Sequence, residues 1–306
     1  MQPSALRKHA DKKWWRDELL LEIPVSAVRH SDKAAAPPTQ EHLALLERAA
    51  QWGISGVCLT PTEFPHEPLL RQTSASSAPR LEAQYDALEQ TARSLGLKTL
   101  NKLAPNTTAK HRSAIQPGPT ASLVGHQAKA CALHAQLCCA LKLPQKIWPL
   151  WHLPPAEAMG VCTLRQWYST LALQFSVRGT PVIRAADLEQ LQQWRNPAPL
   201  HEGASAACLQ KAFADMLLWR KRHAALVSGT MKLLPVHEHL LCFIREHQGQ
   251  RILCVFNWSE RYVRVPLMPS CIQAHLIPGS LMCGGRIVNN HIDCDPWGGF
   301  FAALEA

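Results

Sequence analysis

Three soft side chains, Cys131, His134 and Cys138, fall at i, i+3 and i+7 and would share one helix face. Thiolate and imidazole are ligands that zinc takes. A fourth ligand at fixed spacing is lacking, so the face reads as ordinary helix surface, and no metal or cofactor is expected. His237 and His239 alternate on a would-be strand face without a further ligand. Trp148, Trp151 and Trp167 could stack on a flat apolar ligand face; in a core the same rings are filler whose N–H finds an acceptor. Asn106 and Asn257 each open an N-glycosylation sequon, which without a secretory signal reads as a chance match. Met1 to Arg16 is charged and has no apolar secretory segment, and no stretch reaches the roughly 18 apolar residues of a membrane span. Eleven cysteines without a CxxC pair read as reduced thiols, so a cytoplasmic location is expected.

These groups need a scaffold, and 306 residues with 47% hydrophobic content can bury one. The net charge of +9 is concentrated at Arg7, Lys8, Lys12, Lys13 and Arg16. It reads as a solvated tail over residues 1–13, and the dilute remainder argues against nucleic acid. Leu19 to Val25, Gly56 to Pro61 and Leu97 to Ala104 read as strands, separated by helices at 40–52 and 80–95 that stop at Gly53 and Gly96. Strand–helix alternation predicts parallel βαβ units in one sheet. Residues 112–120 read as loop, 121–141 as helix, Ile147 to Leu153 as a strand that Pro149 demotes to an edge, and 162–175 as helix. A short strand at 179–184 and one long helix at 204–226 follow. After Gly229 short β-type runs suggest an antiparallel domain. The expected division is 14–228 and 229–306.

Several stretches resemble the α-amylase superfamily, glycoside hydrolase family thirteen, in its oligo-1,6-glucosidase, α-glucosidase and trehalose-synthase branch. Trp14-Trp15-Arg16-Asp17 is similar to the branch's opening before the first barrel strand. Leu45 to Pro61 resembles its next helix and second strand, Ala83 to Asn106 the helix and third strand, and Ile147 to Leu153 its "W-P-N-W-V-L-G-N-H-D" segment. Leu171 to Asp187 resembles the last barrel strand, and Phe213 to Gly229 the "L-R-K-x-H-P-A-L" helix. Leu241 to Pro266 and Pro296 to Phe300 resemble the C-terminal domain. The resemblance implies α/β architecture: a (β/α)8 TIM-like barrel followed by an antiparallel β-sandwich.

The barrel is expected to be incomplete. A full one takes about 250 residues, and the matches jump from the third strand to the seventh. Retaining glycosidases need two carboxyl groups about 5–5.5 Å apart. The segments that carry them in the family, an "R-x-D" nucleophile and a Glu acid, have no counterpart here. The family's "D-x-x-x-N-H" reads Asn101 to Asn106, so the Asp position is Asn101 and the His position Asn106, or Thr107 with a one-residue shift; of "N-H-D" only Glu157 keeps a carboxylate. No catalytic residue is assigned; these are degenerate positions. Glu157, Asp187 and Trp151 are the candidate ligand-binding residues.

The resemblance therefore implies a protein of carbohydrate metabolism without glycosidase activity, taking an oligosaccharide or disaccharide ligand. Alternatives are an active glycosidase or transglycosylase with a site rebuilt or completed by homodimerisation, an interaction module like the heavy chains of amino-acid transporters, and a decayed reading frame.

Overall fold

The computed structural model describes residues 14–25, 40–61, 78–101, 120–122, 129–142, 148–152, 163–185, 187, 206–235, 237–280 and 282–305. The tail expected at 1–13 lies outside them. Strands β1 (Leu20–Val25), β2 (Gly56–Pro61), β3 (Lys98–Asn101), β4 (Thr120–Ser122), β5 (Leu150–His152) and β6 (Thr180–Arg184) form one sheet in the order β3-β2-β1-β6-β5-β4. Every pair in it is parallel. Helices α1 (Gln40–Gln51) and α2 (Ala78–Ser94) make the β1–β2 and β2–β3 crossovers. Both end where the spacing predicted, because Gly53 and Gly96 take φ of 73° and 76°, a region costly for side chains with a Cβ. Helix α3 (Ala130–Leu141) precedes β5, and α4 (Leu164–Ser176) precedes β6. Thr163 starts α4 through a capping box with Gln166.

Three expectations are corrected. The segment expected to be helical from 121 gives Ala121 and Ser122 to β4, and the helix begins at Ala130. Strand β5 is interior, between β4 and β6, because Pro149 stands before the paired residues and needs only its carbonyl, which accepts from Thr180 N–H at 2.9 Å. The long helix is broken into α5 (Ala206–Arg222) and α6 (Ala224–Ser228) at His223, whose backbone is extended and whose Nδ1 faces the Trp219 carbonyl at 2.7 Å.

From β7 (Thr230–Leu233) the chain is antiparallel. With β8 (Leu240–His247), β9 (Gln250–Asn257), β11 (Ala274–Leu276) and β14 (Gly299–Leu304) it builds a sheet of order β11-β14-β9-β8-β7. Strands β10 (Val263–Pro266), β12 (Gly285–Val288) and β13 (His291–Cys294) make a second, ordered β10-β13-β12. Leu240, Cys242, Leu253 and Val255 of the first sheet share an apolar cluster with Val263, Ile292 and Cys294 of the second. The opposite face, with Leu241, Phe243, Cys254 and Phe256, joins a core with Trp52, Phe175 and Phe213 of the parallel part. Burial on both faces is why β8 is apolar almost throughout instead of alternating.

Two buried arginines tie this seam. Arg245 donates to the carbonyls of Ser176, Gly229 (3.0 Å) and Thr230 (3.1 Å). Arg220 donates to those of Phe175 (2.9 Å), Asp17 (3.3 Å) and Gly179 (3.4 Å). The carbonyls at the end of α4 have no helical partner, and a cation there also meets the negative end of the helix dipole. Burial pulls Arg220 down to about 10 and Arg245 to about 9, so both are still charged at neutral pH.

Candidate functional site

Alternate residues of a strand share a face. On one face of the parallel sheet Leu20, Leu150 and Val182 pack with Trp15, Cys58, Leu100 and Trp148. Two residues on toward the carboxyl ends, the same face carries Glu22 on β1, His152 on β5 and Arg184 on β6. An apolar floor thus gives way to charge at the end of a parallel sheet where ligand sites form.

His152 Nε2 lies 2.8 Å from Glu22 Oε2, with the side chains only 7% and 17% exposed. Arg184 closes on Asp187: its backbone N–H and Nε donate to Oδ2 at 2.9 and 3.1 Å, and Nη2 to Oδ1 at 2.9 Å. Asp187 is buried. From α4, the buried Gln174 donates from Nε2 to the carbonyls of Trp151 (2.7 Å) and Val182 (2.9 Å), fixing β5 against β6. Chemically, this mouth holds an imidazole–carboxylate couple suited to proton transfer and a guanidinium held flat by its own carboxylate.

The far end of the sheet is also charged. Glu18 accepts from Ser55 Oγ, Lys221 Nζ (2.9 Å) and Lys98 Nζ (3.1 Å). Burial alone would raise its carboxyl, but the Ser55, Lys221 and Lys98 contacts together bring it below the ordinary range.

Of the residues singled out from the sequence, Asp187 stands at the mouth. Asn101 ends β3 in register with Leu59 of β2. Asn106 and Glu157 lie outside the described residues. Trp151 corrects its expected role: it is 1% exposed, packs in the core, and donates its indole N–H to the Arg178 carbonyl at 2.9 Å, which leaves no ring face for a sugar. Trp148 and Trp167 are buried too. Asn257 is fully buried, with its amide on the carbonyls of Arg261, Cys294 and Asp295, so it is no glycan acceptor. His237 and His239 precede β8 instead of alternating along it. Among the described residues no three His, Cys, Asp or Glu side chains gather to hold a metal, and no helix is long and apolar enough to cross a membrane. Sequence reasoning missed Glu22 and His152. Each is an ionisable residue inside an apolar strand run, and that anomaly is the signal that marks them.

Solved structures align along nearly the whole chain. XgtA, an alpha-glucosyl transfer enzyme, matches with a TM-score of 0.62 at 13% identity, covering 95% of this chain and 99% of that one. The fold is that of α-amylase-type enzymes. AmyP in complex with maltotriose gives 0.54 at 10% identity (95% and 97% covered), and an Anoxybacillus alpha-amylase 0.51 at 10% (95% and 98%). Among curated proteins, a probable alpha-glucosidase of Rhizobium meliloti (strain 1021) is 27% identical over 105 residues, 34% of this chain. The match spans 18% of that relative's length. No family model matches the chain. The resemblance to the α-amylase superfamily read from the sequence is borne out by these likenesses.

Proposed function

We propose that this chain is an α-amylase-type protein of carbohydrate metabolism that does not cleave glycosidic bonds and binds an oligosaccharide at the carboxyl end of its parallel sheet. One observation carries the reading. The two carboxylates described at the mouth are each engaged by another side chain of the chain, Glu22 by the His152 imidazole and Asp187 by the Arg184 guanidinium. Double displacement needs two carboxyl groups facing one sugar, one of them ionised and free to attack. The oligosaccharide ligand is suggested by the fold neighbour AmyP, whose complexes hold maltotriose and maltose. The sheet order, with β6 against β1, supports an arc of a (β/α)8 barrel, and the shared apolar cluster of the two antiparallel sheets supports a β-sandwich from 229 to 306. Nine free cysteines among the described residues support a reducing compartment, the cytoplasm.

A second reading, an active glycosidase with a rebuilt site, is favoured by the enclosed Glu22–His152 couple. Turnover of maltose, isomaltose, trehalose and a nitrophenyl α-glucoside separates the two. The proposal expects no release of glucose or nitrophenol. Hydrolysis that disappears in Glu157→Gln or Glu22→Gln overturns it.

A further inference from the structure

The Cys131, His134 and Cys138 face of α3 is only partly brought together. Cys138 Sγ lies 3.6 Å from His134 Nδ1, one turn earlier on the helix. The other ring nitrogen, Nε2, lies 3.2 Å from the Leu234 carbonyl oxygen. A carbonyl oxygen can only accept, so Nε2 carries a proton, and in the neutral ring Nδ1 then turns its lone pair to the thiol. The orienting carbonyl is itself held, because Leu234 donates its N–H to the Cys242 carbonyl at 3.0 Å. Nucleophile, base and orienting acceptor thus stand in the order that activates a weak nucleophile.

The other described thiols lack this arrangement. Cys131, Cys139 and Cys283 are exposed and have no imidazole partner among the described residues. Cys58, Cys242, Cys254, Cys271 and Cys294 are buried. Burial pushes the Cys242 and Cys254 thiols far up, and burial with the nearby Asp295 and Asp293 takes Cys294 up to about 12. Such thiols are inert.

We propose that Cys138 is a nucleophilic thiol and the site at which this chain takes up small-molecule disulfides as a mixed disulfide. The Cys138 proton passes to His134 Nδ1 as Sγ attacks one sulfur of the small disulfide. A new S–S bond forms to Cys138, the old S–S bond breaks, and the released thiolate recovers the proton from the imidazolium. Proton transfer to His134 accompanies the attack.

The test treats the full-length, reduced chain with excess oxidised glutathione and follows each cysteine by peptide mass spectrometry. Cys138, only half-buried, is expected to form its mixed disulfide before the more exposed Cys131, Cys139 and Cys283. His134→Gln can still donate to Leu234 but offers no basic nitrogen, and should slow Cys138 by on the order of 10-fold or more. Modification that follows exposure, with Cys131 and Cys139 ahead of Cys138, overturns the proposal. So does an unchanged Cys138 rate in His134→Gln. The order in the unsubstituted chain decides the matter even if the variant does not fold.

Discussion

Asp187→Asn separates a carboxylate held for structure from one held for substrate. The native carboxylate accepts three hydrogen bonds from Arg184, two of them a side-chain fork, while Asp187 itself is buried. A hydrogen bond to a charged group contributes about 1.5–3 kcal/mol. The asparagine oxygen can keep the backbone bond, and the Arg184 side chain, 28% exposed, can turn toward water. The surviving loss is therefore about 2 kcal/mol, well below the sum of the contacts. Thermal unfolding followed by circular dichroism should show Tm lowered by roughly 4–8 °C, at about 2–4 °C per kcal/mol. A functional carboxylate behaves oppositely, because removing a strained active-site charge commonly stabilises the fold. An unchanged or raised Tm in Asp187→Asn would refute the claim that the mouth carboxylates are locked into the scaffold.

Other perturbations reach different parts of the fold. Arg245→Met leaves the Ser176, Gly229 and Thr230 carbonyls without their donor and should cost about 3 kcal/mol or more in urea unfolding, at about 1–3 kcal/mol for each buried acceptor left unsatisfied. Trp151→Ala empties a core site and frees the Arg178 carbonyl, for a loss of about 3–5 kcal/mol by the same measurement. Glu18 has a folded value below its ordinary 4.5, so its contribution is full above that pH and is lost as pH falls through the folded value. Stability measured from pH 6 to pH 3 should therefore fall less steeply in Glu18→Gln than in the native chain.

The sequence was most legible where one local rule acted alone. The apolar runs of β1 and β2 and the glycines after α1 and α2 each specify an element without outside help. Boundaries failed where tertiary contacts decide. The register of β5 depends on the Pro149 carbonyl meeting Thr180, and the break at His223 on its bond to Trp219. The site was read in part. Asp187 could be found by resemblance, but Trp151 could not be told from a sugar platform until its N–H partner was known. Glu22 and His152 stand far apart in sequence and become a pair only because β6 lies between their strands.

Titration of the native chain with maltotriose in a calorimeter, followed by chromatography of the recovered sugar, tests the central claim most directly. The account predicts a saturable heat and maltotriose recovered intact. Release of glucose or maltose would contradict the loss of glycosidic cleavage, and the absence of any binding heat would contradict the retained oligosaccharide mouth.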